Sequence, residues 1–262
     1  MKRTIVFLHG AWMTSRCWDP FVSFFEAKGY ACVAPSWPYK DRTIDELRQH
    51  PDPRLATIGV AEIVAHYERV IRGLQAPPVL IGHSFGGLFV QMLLDRGLGV
   101  AGVAINPAPP KGVLSFYWST FRSLSGVLCT PMGWRRVVRW SFEEFRYAFV
   151  HTLSPAAQRA AYETYVTPET GRVFFQAALA PFHDVTRVHF MNATRAPLLL
   201  IAGSADHICT AAQIRSNYHQ YRRTTAVTQF REFPGRTHWI IAQDGWEEVA
   251  GSIAGWLDET LH

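Results

Sequence analysis

A Gly-x-Ser-x-Gly sequence joins a predicted buried strand to a predicted helix, with Ser84 at the junction. The apolar run Val79–Ile81 is typical of a central strand, and Leu88–Leu94 is typical of the opening of a helix. A serine on so tight a turn takes a strained backbone conformation, and Gly82 and Gly86 leave room where strand and helix pack closely. A serine hydroxyl is a poor nucleophile until the backbone presents it and a base deprotonates it. This junction therefore constrains fold and chemistry together.

Strands and helices alternate through the first hundred residues, and the alternation resumes near residue 197. The predicted strands cover residues 4–8, 30–34, 79–81, 100–105, 197–203 and 226–233. The predicted helices cover residues 18–27, 60–74, 85–96, a stretch from about 211, and 246–257. Capping pairs at Thr210 with Gln213 and at Asp244 with Glu247 mark the last two helix starts. Strands separated by helices imply right-handed crossovers, so we predict an α/β fold with a mostly parallel sheet.

Between these two blocks, residues 111–193 are predicted to form helices only. A capping box pairs Ser141 with Glu144, and Ser154-Pro155 and Thr167-Pro168 each place a hydroxyl before a proline, which is typical of a helix start. The segment is rich in aromatic residues. Most of them are expected to form its own small core, and some to line a substrate cavity. We therefore predict a core of residues 1–110 and 194–262 with an inserted helical cap of residues 111–193.

Composition narrows the classes of protein. Hydrophobic residues make up 48% of the chain and charged residues 18%, which is typical of a globular enzyme. The net charge is +5, but the basic residues are scattered, which favours a solvated surface over a nucleic-acid groove. No apolar stretch is as long as a membrane span, so stable membrane insertion is not expected. The four cysteines show no paired spacing, as expected of reduced thiols in a cytoplasmic protein.

The chain carries no metal-ligand spacing, phosphate-binding loop or dinucleotide fingerprint, so neither a metal nor a cofactor is predicted. Nothing in the sequence indicates an oligomeric state.

A nucleophilic serine needs a base, and the base needs an orienting acid. In an open α/β sheet such groups follow the carboxyl ends of strands. Asp206 is the one carboxylate in the loop after the strand at 197–203, and His238 is the one histidine in the loop after the last strand. The chain order serine, aspartate, histidine is one of the few known for this chemistry. Ser84, Asp206 and His238 are therefore the predicted catalytic residues.

The segment Leu8-His9-Gly10-Ala11-Trp12 follows the first strand and is the natural source of an oxyanion donor. The Gly10 turn is expected to point the amide of Ala11, or alternatively that of Trp12, toward the serine hydroxyl. The amide of Phe85 supplies the other donor. His9 itself is expected to hold this loop by hydrogen bonds.

These motifs together resemble the α/β-hydrolase-fold serine hydrolases, and the resemblance covers essentially the whole chain. It is most similar to the small-molecule esterases, lipases and lactonase-like members whose oxyanion loop is His-Gly-Ala-Trp. The chain begins on the oxyanion-loop strand, without the leading hairpin found in many members. The resemblance therefore implies an α/β-hydrolase fold with about six strands and an inserted helical cap.

The predicted activity is hydrolysis of a carboxylic ester, lactone or thioester of a hydrophobic small molecule through an acyl-serine intermediate. Candidate substrate contacts are Trp12, Phe116, Trp118 and Trp239. The serine at the elbow argues against the haloalkane dehalogenases and epoxide hydrolases, which resemble this fold but carry aspartate there. A lyase or carbon–carbon hydrolase, a perhydrolase, and a ligand-binding or receptor protein remain open alternatives.

Overall fold

The structure is a computed structural model, and it describes residues 2–113 and 117–261. Its strands are β1 (Thr4–Leu8), β2 (Ala31–Val33), β3 (Val79–His83), β4 (Ala101–Ile105), β5 (Val137–Val138), β6 (Glu169–Thr170), β7 (Leu198–Gly203) and β8 (Thr228–Phe233). Its α-helices are α1 (Asp19–Ala27), α2 (Ile44–Gln49), α3 (Val60–Arg72), α4 (Phe85–Asp95), α5 (Trp118–Leu128), α6 (Phe142–Phe149), α7 (Pro155–Tyr165), α8 (Arg172–Ala178), α9 (Ala211–Gln220) and α10 (Trp246–Thr260).

Six strands form one sheet in the order β2-β1-β3-β4-β7-β8, and every neighbouring pair is parallel. This confirms the predicted parallel sheet of about six strands. Because all strands run the same way, their carboxyl ends lie along one edge of the sheet. The loops that follow β1, β3, β7 and β8 therefore start at that edge, as the proposed chemistry requires.

The centre of the sheet is buried on both faces. Strands β3, β4 and β7 have no exposed residue, and ten residues of α4, from Phe85 to Leu94, are buried as well. Covering helices on both faces explain why these strands are nearly continuous apolar runs. The helix that carries the predicted nucleophile at its start is thus fixed in the middle of the core.

The insertion, the residues between β4 and β7 (106–197), contains helices α5 to α8 and one strand pair. Strands β5 and β6 pair antiparallel, with Val137 opposite Thr170 and Val138 opposite Glu169. The prediction that residues 111–193 form helices only is wrong here. Thr167-Pro168, predicted to begin a helix, instead leads into β6.

The other predicted helix starts have mixed outcomes. Ser141 and Glu144 form both hydrogen bonds of a capping box, and Ser154 caps α7. The Thr210 hydroxyl accepts a hydrogen bond from the amide of Gln213. Asp244 does not cap α10, whose N-cap is Gly245 in the left-handed region at φ 79°. Glycine is favoured in that conformation because it lacks a Cβ.

Within the described part of the chain, none of the helices combines the length and the apolar composition needed to span a membrane.

Candidate active site

Ser84 lies between β3 and α4 with φ 57° and ψ −122°, a backbone conformation that is strained for a residue with a Cβ. Hydrogen bonds hold it there. Its amide donates to the carbonyl of Ile105 at 3.0 Å, and its carbonyl accepts from the amide of Ala108 at 3.0 Å. The turn thereby fixes the serine at the carboxyl edge of the sheet. Its side chain lines a cavity.

Three glycines make room for this turn. A Cβ on Gly82 would collide with the backbone of Gly86, and a Cβ on Gly86 would collide with the carbonyl of Leu8. A Cβ on Gly10 would lie 2.7 Å from the Cβ of Ser84, so the loop after β1 passes directly against the serine. The elbow and this loop therefore approach more closely than any side chain at these positions would allow.

Asp206 and His238 form a fully buried pair at the ends of β7 and β8. The Nδ1–H of His238 donates to Oδ2 of Asp206 at 2.6 Å, and both side chains are inaccessible to solvent. The other carboxylate oxygen accepts from the amides of Ile208 and Cys209 at 2.7 and 2.9 Å. With both carboxylate oxygens bonded, Asp206 holds the imidazole in one orientation and in the tautomer that leaves Nε2 without a proton.

Nε2 of His238 is buried and has no hydrogen-bond partner among the described residues. The residue before the serine fixes this histidine, since the Nε2–H of His83 donates to the carbonyl of His238 at 2.8 Å. The two rings lie 4.7 Å apart. Burial, followed by the nearby His238, lowers the pKa of His83 well below its ordinary value, so His83 stays neutral beside the predicted base. Ser84 follows His83 directly, so the elbow and the Asp206–His238 pair lie at the same edge of the sheet, but among the described residues no hydrogen bond joins Ser84 to Nε2 of His238.

The two predicted oxyanion donors are unused by the protein itself. Within residues 2–113 and 117–261, the amides of Ala11 and Phe85 donate to no backbone or side-chain acceptor. The alternative donor, Trp12, is excluded because its amide donates to Oε2 of Glu169 at 3.1 Å. Ala11 and Phe85 are therefore the pair that this geometry leaves free.

His9 holds the loop after β1, as expected. Its Nδ1–H donates to the carbonyl of Gly10 at 2.7 Å, and its Nε2 accepts from the amide of Trp37 at 3.0 Å. Burial, reinforced by the charge of Lys40, lowers the pKa of His9 from 6.5 to about 3. A neutral imidazole is required here because Nε2 acts as an acceptor.

The cavity above Ser84 has a volume of about 900 Å³ and is mostly apolar. Trp12 and Trp118 line it, as predicted, and the insertion contributes Val113, Leu124, Leu128 and Phe174.

Trp239 does not line this cavity. Its indole is buried and packs 5.0 Å from the ring of Tyr165, so this predicted contact is wrong. Phe116 lies outside the described residues.

The cavity lining carries one charged residue among the described residues, Lys111. It pairs with Asp184 at 2.8 Å.

Sequence reasoning missed a buried ion pair beside the oxyanion loop. Nζ of Lys40 lies 2.6 Å from Oε2 of Glu169, and both side chains are fully buried. The two residues are 129 positions apart. No local pattern signals such a pairing. Among residues 2–113 and 117–261 as a whole, no group of three or more His, Cys, Asp or Glu side chains is arranged to hold a metal ion.

A family model described as alpha/beta hydrolase family matches residues 5–252. No curated protein matches the chain. Solved structures resemble it over nearly its full length. A monoacylglycerol lipase from Paleococcus ferrophilus is 20% identical, with a TM-score of 0.67, over 97% of this chain and 93% of that one.

Two further solved structures show the same fold. A pyrethroid hydrolase from Sphingobium faniae JZ-2 is 18% identical, with a TM-score of 0.68, over 98% of both chains. A methylesterase from Arabidopsis is 14% identical, with a TM-score of 0.66, over 98% of this chain and 99% of that one. At these identities the likeness concerns the fold. A shared fold does not determine the function, which depends on the site itself.

Proposed function

The chain belongs to the alpha/beta hydrolase family, and we propose that it hydrolyses carboxylic esters of hydrophobic small molecules through an acyl-serine intermediate. The observation that supports this proposal is the strained elbow at Ser84, whose neighbour His83 contacts His238. The Nδ1 of His238 is bonded to Asp206, and its Nε2 is unpartnered among the described residues. A serine, a base and an orienting acid in this arrangement activate a hydroxyl for attack on a carbonyl. The named activities of the structural neighbours, a lipase and a methylesterase among them, point to the same class.

In the acylation step, Nε2 of His238 takes the proton of the Ser84 hydroxyl as Oγ attacks the carbonyl carbon of the ester. The negative charge that develops on the carbonyl oxygen is stabilised by the amides of Ala11 and Phe85. The imidazolium, stabilised by Asp206, then gives its proton to the departing alkoxide. An alcohol leaves and an acyl-serine remains.

In the deacylation step, His238 takes a proton from a water molecule, and the resulting hydroxide attacks the acyl carbon. The same two amides stabilise the second tetrahedral intermediate. His238 then returns the proton to Oγ of Ser84 as the carbon–oxygen bond breaks. The products are a carboxylic acid and the free enzyme, so protons and charge balance over the cycle.

The cavity favours a neutral, hydrophobic substrate. The insertion covers the site as a cap, and its apolar side chains supply much of the lining. Lys111 is already paired with Asp184, so no free cation among the described lining residues is available for a carboxylate group. A volume of about 900 Å³ is at the upper end of the range for small-molecule sites. Esters with a medium or long acyl chain fit this description.

The test is a panel of p-nitrophenyl esters of graded chain length, with lactones and thioesters, assayed with the wild-type protein and Ser84→Ala. We expect kcat to fall by at least about 10⁴-fold in S84A. Identification of the carboxylic acid product separates a hydrolase from a lyase, which makes no acid from a simple ester. Full activity of S84A would contradict the assignment. Labelling by a fluorophosphonate without turnover of any ester would favour the ligand-binding alternative.

A further inference from the structure

A buried ion pair links the core of the protein to the insertion. Lys40 follows β2 in the core, and Glu169 opens β6 in the insertion. Their side chains lie 2.6 Å apart and are inaccessible to solvent. Burial raises the pKa of the Glu169 carboxyl, and the Lys40 ammonium opposes that rise. Burying two charges is costly and is weak support for a role in stability alone.

The carboxylate of Glu169 also binds the backbone of the oxyanion loop. Its Oε2, which contacts Lys40, accepts the amide of Trp12 at 3.1 Å, and its Oε1 accepts the amide of Thr170 at 2.8 Å. Both oxygens are therefore committed. A charge-assisted bond to a backbone amide is roughly twice as strong as a neutral one, so the carboxylate restrains this peptide firmly.

The insertion also holds the other side of Trp12. The carbonyl of Trp12 accepts from the amide of Thr167 at 2.9 Å and from its hydroxyl at 3.3 Å. The indole of Trp12 stacks on Trp140, with ring centroids 3.4 Å apart, and on Phe174 at 4.3 Å. All of these partners belong to the insertion. Trp12, the residue next to Ala11, is thus held by contacts to its amide, its carbonyl and its ring.

Trp12 requires these contacts because its φ is 61°, in the left-handed region that residues with a Cβ rarely adopt. Such a conformation persists only where the surroundings determine it. The orientation of the Ala11 amide depends on the backbone of the same turn, since Ala11 immediately precedes Trp12. A relaxed Trp12 would move the donor away from the developing oxyanion.

Charge explains why a lysine accompanies the glutamate. An unpaired carboxylate close to the oxyanion hole would oppose the negative charge that develops in the transition state. Lys40 neutralises that carboxylate while leaving its oxygens able to accept from the backbone. The pair therefore binds the loop without adding net charge near the reacting atoms.

We propose that Glu169, paired with Lys40, is a positioning residue of the oxyanion hole, which fixes the Trp12 turn and through it the amide of Ala11. This inference rests on the proposed function. It gives the insertion a part in transition-state stabilisation besides its part in lining the cavity. Formation of the oxyanion hole then depends on docking of β6 against the loop after β1.

The test compares Glu169→Ala and Glu169→Gln with wild type on p-nitrophenyl acetate, whose small acyl group makes few contacts in the cavity. Loss of a whole oxyanion donor costs about 10²–10³ in kcat, so a displaced donor is expected to cost about 10- to 100-fold. We expect this loss in E169A, with KM within about twofold of wild type. E169Q keeps one acceptor oxygen in the same shape and is expected to fall between the two.

A matched control separates positioning from general docking of the insertion. Arg48 in α2 also ties the core to the insertion, since its guanidinium donates to the carbonyls of Val166 and Tyr162 at 2.8 and 2.6 Å. These hydrogen bonds do not involve the oxyanion loop. Arg48→Met is therefore expected to lower the melting temperature while leaving kcat within about twofold.

Binding of an alkylboronic acid, which forms a tetrahedral adduct with a catalytic serine, gives a second measurement. The affinity of the protein for this boronic acid should weaken in E169Q and E169A in proportion to kcat, and it should not weaken in R48M.

The inference is overturned if both Glu169 variants keep wild-type kcat, or if R48M lowers kcat as much as E169A does. E169Q keeps the test decisive if E169A does not fold. S84A is run alongside: hydrolysis that does not depend on Ser84 would mean that the proposed function fails. Ser84-dependent hydrolysis with unaffected Glu169 variants would overturn this inference alone.

Discussion

The two sides of the cavity above Ser84 are built differently. On the sheet side, Ser84, Asp206 and His238 follow strand ends, and backbone hydrogen bonds and close-packed glycines fix them. On the insertion side, apolar side chains line the cavity, and several aromatic residues there, such as Trp118 and Phe121, are exposed. The sheet side has the rigidity that a reaction needs. The insertion side has the adaptable apolar surface that substrate selection needs.

The largest effect is expected on the sheet side, at Asp206. Asp206→Asn keeps the shape of the side chain but allows the amide to donate to the histidine, which favours the wrong tautomer of His238. A comparable change in a serine protease lowers kcat by about 10⁴-fold, and we expect a loss of that order here. Steady-state assays on a p-nitrophenyl ester measure it.

The matched control for that variant is His207→Gln. His207 neighbours Asp206 in sequence, but its Nδ1–H donates to the carbonyl of Tyr147 at 2.9 Å and its ring stacks on His151. We expect H207Q to stay within a few-fold of wild type. A loss in H207Q as large as that in D206N would mean that His207 belongs to the catalytic group.

A second comparison tests whether the sheet side is rigid because its backbones are in contact. Gly86→Ala would place a methyl group against the carbonyl of Leu8, whereas a Cβ on Gly255 in α10 meets no atom within 4 Å. We expect G86A to lower the free energy of unfolding by about 3 kcal/mol, since buried backbone can relieve the overlap only by moving. G255A should raise it by up to about 1 kcal/mol through helix propensity. Urea unfolding measures both, and equal effects would refute the packing argument.

Acidification should destabilise the sheet side through His9. The pKa of His9 is about 3 in the native protein and near 6.5 in the unfolded chain, so the unfolded chain binds the extra proton between these values. This contribution to stability is complete above pH 6.5 and is lost as the pH falls toward 3. It amounts to at most about 1.4 kcal/mol per pH unit. His9→Asn should make the fall between pH 6.5 and 4 shallower. An unchanged slope would contradict the buried, neutral histidine.

The smallest effect is expected on the insertion side. Leu124→Trp narrows the cavity that Leu124 lines. The kcat/KM for p-nitrophenyl esters with long acyl chains should therefore fall by about tenfold, whereas kcat/KM for p-nitrophenyl acetate should stay unchanged. Leu179→Trp, an exposed change in the same insertion, serves as the control and should alter neither. Loss of activity on all chain lengths in L124W would mean that the insertion also governs the chemical step at this position.

The sheet side could be predicted from sequence because its signals are local. Gly82 and Gly86 flank Ser84 in sequence, and Asp206 and His238 each follow a recognisable strand. The α2 helix, which was not predicted, also carries a local signal, since Thr43 and Glu46 form a capping box. Such patterns involve residues only a few positions apart, so the local structure that they predict is retained in the folded protein.

The insertion side could not be predicted to the same depth because its contacts are distant in sequence. The strand pair β5–β6 joins Val138 to Glu169, and Lys40 meets Glu169 across 129 positions. The Thr167-Pro168 pattern is that of a helix start, but tertiary contacts override it, and Thr167 binds Trp12 instead. Trp239 was predicted to contact substrate, yet its ring is buried among the side chains of the core.

Covalent labelling tests whether Ser84 is the nucleophile. The wild-type protein is titrated with a fluorophosphonate, and the site of the adduct is located by peptide mass spectrometry while residual esterase activity is followed. We expect one adduct per chain on the peptide containing Ser84, loss of activity in proportion to labelling, and no labelling of S84A. An adduct on another residue that abolishes activity, or equal labelling of S84A, would contradict it.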